Sequence, residues 1–578
     1  MKRYFQFAVL LLAIACARAT PPESIGPDVG KRIVASHGVV AAGNAYASEA
    51  GLEMLKQGGN AMDAVVATAF ALGVTEPMMS GLGAGGGLLY WNAKTHRSEY
   101  LNFYNAAGSV PDTGLRALGT SATARGVGIP GAVRGLLAAH AKYGKLPRAV
   151  VMAPAIRLAS EGFTVNALLS REITASAEKL KTSPGAYSLF LPNDKALRPG
   201  DHLVQAELAK TLSRIASDGP DVFYAGAIGD DIVQALRAKG STIERADFAA
   251  YQPRWTRPVC TVYHGRVVLS AAAPQSGLQV IESLNLLADR SMPALGLPSR
   301  SPDAFRVMTG ALRIAVTDRD AVIGDPDKVG VPMAGITSTA YAATRASLIE
   351  SPVSGRLAAG NPWSYDKAPE GDCARMESIP PSKLAAPAPT AKPDGSTSET
   401  THMSVVDDEG NAVSVTNTLG LGFGTGTWID GVFFNSAMFN FSRDNTAPNA
   451  SGPFRVPAST IAPTIVLRDG RVEMVVGCPG SLAIPPAIVE TIVYLLDYKL
   501  DPLQALRMPR MIPSATAQLR MEDGFAEPVY AEARRLGYDV VVAPPVDMGF
   551  GGVHVIQRVG SRWIGAADPR RDGEVRGW

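Results

Sequence analysis

The sequence predicts an α+β protein, and two observations support this. Helix-like runs separated by glycines dominate the first two-thirds of the 578 residues. From residue 400, two alternating β-branched runs flank a turn, which predicts a strand hairpin. A hydrophobic content of 46% is enough for a large core, and the length allows several domains.

The predicted helices begin soon after residue 45. An amphipathic run over 48–57 stops at Gly58 and Gly59, and Asn60 is a good N-cap for a second helix over 61–72. Further helical runs are predicted over 132–142, 154–161, 206–217, 227–239 and 304–318. The first two-thirds of the chain is therefore expected to be rich in helix.

The N-terminus has the pattern of a secretory signal. Basic residues at 2–3 precede a largely apolar run over 5–15 and the sequence Ala-Arg-Ala over 17–19, whose small residues fit a cleavage site, so 1–19 is predicted to be a signal peptide. The protein is then exported, periplasmic or extracellular, with acylation at Cys16 as an alternative because 13–16 resembles a lipoprotein cleavage box. No other stretch has the length and apolarity of a membrane span.

Charge and cysteine usage exclude several classes of partner. The net charge of +2 gives no basis for a nucleic-acid or membrane-surface partner. Cys260, Cys373 and Cys478 are far apart and lack Cys-x-x-Cys or histidine spacing, so neither a zinc site nor a disulfide framework is indicated. A single bridge stays open, and no metal or cofactor is expected.

The amino-acid composition of the chain changes before residue 400. Between 352 and 399 Pro, Ala, Ser, Lys and Gly dominate, which predicts an exposed, mobile segment that is richest in Pro and Ala near 380–399. The alternative is a plain interdomain linker. Either interpretation places an accessible backbone directly before the hairpin.

The hairpin brings two threonines together. If its turn centres on Glu409, the residue numbers of cross-strand partners sum to 818, and Thr418 faces Thr400. Two hydroxyls then lie at the open end of the hairpin. A register slip of one residue would separate them.

A threonine hydroxyl is a poor nucleophile without a base, and one solution is to free its own α-amine by cutting the preceding bond. Here Thr400 would attack the carbonyl of Glu399, shift the acyl group to oxygen and release it by hydrolysis. We therefore predict a large subunit, 20–399, and a small subunit, 400–578, of 179 residues.

Two glycine-rich segments are candidates for roles in binding or catalysis. The turn over 477–481 follows an apolar run, and its backbone N–H groups are candidate donors to an oxyanion, although such turns usually serve chain reversal alone. The segment 81–87 superficially suggests a dinucleotide or phosphate loop. It lacks the required spacing, and 88–91 reads as a strand rather than a helix.

The start of the hairpin also resembles a known family. The sequence from Thr400, Thr-Thr-His-Met-Ser-Val-Val-Asp, then Gly-Asn-Ala-Val-Ser-Val-Thr and Phe-Gly-Thr-Gly, is similar to the small-subunit start of γ-glutamyltranspeptidases. The resemblance extends over nearly the whole mature chain. It includes the motifs at 58–64, 83–87, 128–131, 324–326, 463–465 and 567–570.

This resemblance implies the N-terminal nucleophile hydrolase fold, a four-layer αββα sandwich made by two subunits of one precursor. It implies that Thr400 is the nucleophile and that Thr418 hydrogen-bonds and activates it. Gly480 and Ser481 match the oxyanion-hole pair of glycines, with serine replacing the second. A backbone donor survives that replacement.

The residues that recognise substrate depart from the family pattern. Tyr104 stands where the family has the arginine for the α-carboxylate, and Asn440 stands where it has the acidic residue for the α-ammonium. Ser459 and Thr460 keep both hydroxyls of the usual serine pair, and Gly420 replaces an asparagine. An unpaired zwitterionic head is costly to desolvate, so a γ-glutamyl group is expected to bind weakly.

Three functional hypotheses follow. The first is a γ-glutamyl hydrolase or transferase, with water or an amino acid as acceptor. The second is an acylase or amidase for another carboxylate-bearing small-molecule or peptide amide, such as a glutaryl or cephalosporin side chain. The third, a catalytically silent binding relative, is disfavoured because Thr400, Thr418 and Gly480 are all present.

Overall fold

A computed structural model describes residues 30–112, 115, 124–369, 371–376, 378–384 and 399–578. The predicted signal peptide over 1–19, with Cys16, lies outside the described residues. So does most of the Pro/Ala-rich segment near 380–399. Among the described residues, no helix has the length and apolarity needed to cross a membrane.

Two sheets of seven strands each form the centre of the molecule. In the first, the hairpin sheet, the strands lie in the order Glu574–Gly577, Val39–Ala42, Glu399–Val406, Ala412–Gly420, Gly85–Asn92, Arg97–Phe103 and Arg254–Thr256. In the second sheet the order is Arg32–Ala35, Arg562–Ala567, His554–Val559, Arg471–Gly477, Thr464–Arg468, Arg266–Ser270 and Val259–Tyr263. All strand pairs within these two sheets are antiparallel.

Smaller sheets lie outside this pair. Their strands are Met511–Pro513, Gln518–Glu522 and Asp539–Ala543 in one sheet, Trp428–Ile429 and Val432–Phe433 in another, and Phe163–Thr164 and His202–Leu203 in a third. The α-helices of the described residues are Ala45–Lys56, Ala61–Thr75, Ala132–Tyr143, Arg148–Glu161, Ala167–Ala175, Ala177–Leu180, Pro184–Phe190, Ala206–Asp218, Asp221–Tyr224, Ala227–Ala238, Arg245–Ala250, Gly277–Leu287, Met292–Leu295, Pro302–Val322, Met333–Ile336, Thr339–Arg345, Gly371–Arg375, Ile484–Leu496, Pro502–Arg507 and Glu527–Arg535.

The two large sheets pack face to face and each carries helices on its outer face. Helices Ala45–Lys56 and Ala61–Thr75 cover the hairpin sheet, and helices Gly277–Leu287 and Ile484–Leu496 cover the second sheet. A sheet whose two faces are both covered needs apolar residues on both faces, and the central strands are buried throughout. The predicted four-layer αββα sandwich is confirmed.

Helix Ala61–Thr75 shows how the sequence sets these elements. Asn60 and Asp63 form a reciprocal capping box at its start, which confirms the predicted N-cap. Nearly every residue of this helix is buried because it lies between the hairpin sheet and other helices. The other predicted helices are also present, although the one predicted from Pro154 begins at Arg148 and holds this proline in its interior.

Strands in the first two-thirds were largely missed by sequence reasoning. Only the strand at 88–91 was predicted, and it is present as Gly85–Asn92. Strand Val39–Ala42 is fully buried on both faces, so it lacks the alternation of apolar and polar residues that marks a half-buried strand. A sequence criterion based on alternation passes over such strands.

One disulfide joins Cys260 to Cys373, which settles the question left open by the sequence. The two sulfurs are 2.12 Å apart, and the bridge closes a separation of 113 residues. It ties the short helix Gly371–Arg375 to strand Val259–Tyr263. Cys478 is free and buried.

Candidate active site

The hairpin holds two threonine hydroxyls face to face. Strand Glu399–Val406 pairs with Ala412–Gly420 in a register that places Thr400 opposite Thr418, as predicted. A bulge shifts the register just before Thr400, so Glu399 pairs with Gly420. Both threonines are at most 2% exposed, so their hydroxyls are buried.

A chain of hydrogen bonds connects the predicted nucleophile to the peptide bond that precedes it. The Thr400 hydroxyl donates to the Thr418 hydroxyl oxygen at 3.2 Å, and Thr418 donates to the Glu399 carbonyl at 2.6 Å. The Gly420 N–H donates to the same Thr418 oxygen at 2.8 Å. The Thr418 hydroxyl is thus placed to orient the Thr400 hydroxyl and to polarise the Glu399 carbonyl.

Gly420 is held by a serine that sequence reasoning did not single out. The Ser436 Oγ accepts from the Leu421 N–H at 2.9 Å, and it lies 2.4 Å from the place where a Cβ on Gly420 would stand. Gly420 also has a φ of +84°, which favours glycine. Ser436 therefore occupies the space beside the hairpin end and ties the segment after it to that end.

A buried arginine lies beside Thr400 on the other side. The Arg571 Nη1 donates to the Thr400 carbonyl at 3.2 Å and is 3.5 Å from Glu399 Oε2. Sequence reasoning missed Arg571, because the recognised motif at 567–570 ends one residue earlier. The sequence signal that could have identified Arg571 is its position directly after the arginine that ends this motif.

Glu76 is a further group missed by sequence reasoning. Its carboxylate accepts from the Thr401 hydroxyl at 2.6 Å, one residue after the predicted nucleophile. Burial raises the pKa of Glu76 to about 7, although the Thr401 hydrogen bond and the charge of Arg571 oppose that shift. Near neutral pH this carboxyl is poised between its two protonation states.

The turn at Gly480 and Ser481 lies between strand Arg471–Gly477 and helix Ile484–Leu496. Gly480 has a φ of +122°, and a Cβ there would stand 2.7 Å from the Gly551 Cα, so only glycine fits. Ser481 has a φ of +55°, where a non-glycine residue is uncommon. A backbone held in this way presents its N–H groups in a fixed direction.

The neighbouring loop links this turn to the threonines. Gly551 packs against Gly480, and the next residue, Gly552, packs against the side chain of Arg571. Since Arg571 bonds to the Thr400 carbonyl, the turn and Thr400 share one framework.

Buried ion pairs hold that loop in place. Arg510 donates to the Phe550 carbonyl at 3.0 Å and pairs with Asp568 at 2.5 Å, and Asp568 accepts from the Val553 N–H at 3.0 Å. Burial alone would raise the pKa of Asp568, but Arg510 and Arg570 lower it to about 2. The motif at 567–570 therefore supports the loop beside the Gly480 turn.

Two of the departures from the family pattern, Tyr104 and Asn440, meet in one place. The Asn440 Nδ2 donates to the Tyr104 hydroxyl at 3.0 Å, and Ser459 also hydrogen-bonds to that hydroxyl. Burial raises the pKa of Tyr104 to about 12, with both hydrogen bonds opposing the shift, so the cluster is neutral at physiological pH. Thr460, next to Ser459, is half-buried.

This neutral cluster borders the hairpin end. Asn440 ends a short 3₁₀ helix, Ala437–Asn440, that begins directly after Ser436. Ser436 is bonded to the hairpin through the Leu419 carbonyl and the Leu421 N–H. The structure thus brings Tyr104, Asn440 and Ser459 together, next to the segment that carries Thr418.

Comparison with known structures defines the class. The structure of a cephalosporin acylase from Bacillus halodurans superposes with a TM-score of 0.83 at 26% identity, covering 97% of this chain and 99% of that chain. The fold is accordingly that of the N-terminal nucleophile hydrolases.

Sequence comparison gives the family. The family model for gamma-glutamyltranspeptidase matches residues 47–578. The chain is 35% identical over 540 residues to a glutathione hydrolase proenzyme of Escherichia coli, covering 89% of this chain and 87% of that protein. It is 33% identical over 535 residues to an acylase ACY 1 proenzyme of a Pseudomonas species, covering 90% of each. The chain belongs to the γ-glutamyltranspeptidase family and is an enzyme of it.

Proposed function

We propose that this chain cuts itself between Glu399 and Thr400. The Thr400 Oγ attacks the Glu399 carbonyl carbon, the C–N bond breaks, and the released amine takes up the proton. Water then hydrolyses the resulting ester, which leaves a carboxylate on Glu399 and a free α-amine on Thr400. The observation that carries this proposal is the hydrogen-bond chain from Thr400 through Thr418 to the Glu399 carbonyl.

The cut chain is then an amide hydrolase or acyltransferase. The α-amine of Thr400 serves as the base for its own hydroxyl, and Thr418 keeps that hydroxyl in position. The backbone N–H groups at Gly480 and Ser481 are the donors proposed for the oxyanion. Water or an amino-acid acceptor then takes the acyl group from the ester on Thr400. The two facing hydroxyls of Thr400 and Thr418 argue against a catalytically silent relative.

For the acyl donor, we propose an amide without an α-amine. Tyr104, Asn440 and Ser459 form a neutral cluster, and asparagine cannot neutralise an ammonium group. The similarity to acylases over nearly the whole chain supports this choice. A γ-glutamyl donor is the second candidate, supported by the 35% identity to a glutathione hydrolase proenzyme.

Kinetics on two anilides test this preference. We expect a higher kcat/KM for a glutaryl anilide than for a γ-glutamyl anilide in the wild type. Replacing Tyr104→Arg together with Asn440→Asp should shift the ratio toward the γ-glutamyl donor by about 10- to 100-fold, the range of a charge-assisted hydrogen bond. Tyr104→Phe, which adds no charge, is the control.

The opposite kinetic result is also informative. A wild type that already prefers the γ-glutamyl donor would contradict the proposed acyl specificity. It would leave a γ-glutamyl hydrolase or transferase as the function. Self-cleavage at Thr400 does not depend on this outcome.

We further propose that the chain is exported and works as two subunits, 20–399 and 400–578, after loss of 1–19. The disulfide between Cys260 and Cys373 supports an oxidising compartment, because such bridges persist outside the reducing cytosol. N-terminal sequencing of the secreted protein, or lipid analysis at Cys16, distinguishes a free from an acylated start.

A further inference from the structure

The side chain of Glu399 occupies a charged site in the uncut chain. Its Oε2 lies 3.5 Å from the Arg571 Nη1, although the two are not aligned as a hydrogen bond. The side chain of Glu399 is 18% exposed and that of Arg571 is 6% exposed. Glu399 is also the residue whose carbonyl Thr400 would attack.

Arg571 retains unused hydrogen-bonding capacity. Its Nη1 donates to the Thr400 carbonyl at 3.2 Å and its Nη2 to the Met548 carbonyl at 3.5 Å. Its Nε is buried and has no hydrogen-bond partner among the described residues. A buried guanidinium needs an anion to offset its desolvation, and Glu399 is the anion closest to the reacting bond.

Other charges surround the same space. Glu172 on helix Ala167–Ala175 and Lys179 on helix Ala177–Leu180 both interact electrostatically with Glu399. Lys179 is already engaged, since its Nζ donates to the Gly422 carbonyl at 2.6 Å. Glu76 carries a carboxyl near Arg571 but is bonded to Thr401. Among the described residues, Arg571 is the cation within 4 Å of the Glu399 carboxylate, and its unpartnered Nε leaves a donor for a new carboxylate when Glu399 departs.

The chemistry of Glu399 indicates which carboxylate fits. Three carbons, Cα, Cβ and Cγ, separate its carbonyl carbon from its side-chain carboxylate. A glutaryl amide has the same three-carbon spacing between its acyl carbon and its distal carboxylate. The ester that self-cleavage forms on Thr400 is thus a substituted glutaryl ester whose carboxylate starts beside Arg571.

We propose that Arg571 binds the distal carboxylate of the acyl donor once cleavage has released Glu399. The ligand class is an amide whose acyl group carries a carboxylate three carbons from the acyl carbon. This inference rests on the proposed function, and it supplies the cation that Tyr104 does not. Before cleavage the site is filled by Glu399, so the uncut chain excludes such ligands.

The first test compares two anilides on the cut enzyme. The glutaryl anilide and the glutaramoyl anilide have the same shape, but only the first carries a charge. We expect the wild type to favour the glutaryl anilide by about 10- to 100-fold in kcat/KM. Arg571→Gln should bring this ratio close to one by raising KM for the charged glutaryl anilide. Arg571→Lys, which keeps a positive charge, should retain part of the preference. An unchanged ratio in Arg571→Gln would overturn the proposal.

The second test requires neither turnover nor cleavage. Glutarate binding is measured by calorimetry on three uncut proteins: Thr400→Ala, Thr400→Ala with Glu399→Ala, and both with Arg571→Gln. We expect binding only in the second protein, where Glu399 no longer fills the site and Arg571 remains. Equal binding in the first two, or binding that survives Arg571→Gln, contradicts the proposal.

The two tests separate this inference from the proposed function. If the enzyme fails to cut itself or to turn over anilides, the proposed function is wrong, and the calorimetry still decides on the carboxylate site. If the enzyme turns over both anilides equally, the proposed chemistry stands and Arg571 is not the carboxylate site.

Discussion

Replacing Thr418 with valine is the most informative single change at the hairpin. Valine keeps the shape of threonine but removes the hydroxyl, which makes three hydrogen bonds, to Thr400, to the Glu399 carbonyl and to the Gly420 N–H. Because the first two bonds concern the nucleophile and the carbonyl under attack, the change should slow both self-cleavage and turnover.

The size of the effect follows from these contacts. Loss of a positioned hydrogen-bonding group in a reaction typically costs about 10²-fold or more in rate. The Gly420 N–H would be left unsatisfied in a buried site, which costs about 1–3 kcal/mol of stability. Thr418→Val should therefore be a folded protein with a moderately lowered Tm.

The assay separates the two rates. Self-cleavage is followed as the appearance of the two chains on a denaturing gel, and turnover is measured on the fraction that has been cut. Thr418→Ser, which keeps the hydroxyl, is the matched control and should retain most of both rates. Wild-type rates in Thr418→Val would refute the role assigned to this hydroxyl.

Two further predictions concern stability. The first uses the uncut Thr400→Ala protein. Folding raises the pKa of Glu76 from 4.5 to about 7, so the folded state favours the protonated carboxyl. The stabilising contribution of Glu76 is therefore complete at low pH and is lost as the pH rises through 7. Glu76→Gln should remove this pH dependence, about 3 kcal/mol between pH 4 and pH 8 in the free energy of unfolding; equal slopes for both proteins would contradict the shift. Replacing Cys260 and Cys373 by alanine should lower stability by about 2–4 kcal/mol, and reductant should lower the Tm of the wild type but not of this variant.

The sequence predicted the local features of the site well. The hairpin register followed from a turn flanked by two equal runs, and the helices followed from their apolar periodicity and the cap at Asn60. Such features depend on residues close together in the chain. Neighbouring side chains in a strand pair or a helix are fixed by geometry alone.

The parts that the sequence did not predict depend on distant residues. Arg571 approaches Thr400 across 171 positions, and Cys260 meets Cys373 across 113. No local pattern marks such encounters, since they result from the stacking of two sheets. The resemblance places Tyr104 and Asn440 at one substrate head group, but the hydrogen bond between them was not visible in either segment alone.

The central claim is that Thr400 cuts its own chain, and the intact masses of the purified subunits test it most directly. The wild type and Thr400→Ser should each yield a small subunit of 179 residues that begins at residue 400. Thr400→Ala, purified in the same way, should remain one chain from the mature N-terminus to Trp578. A small subunit that begins elsewhere, or efficient cleavage in Thr400→Ala, would contradict the account.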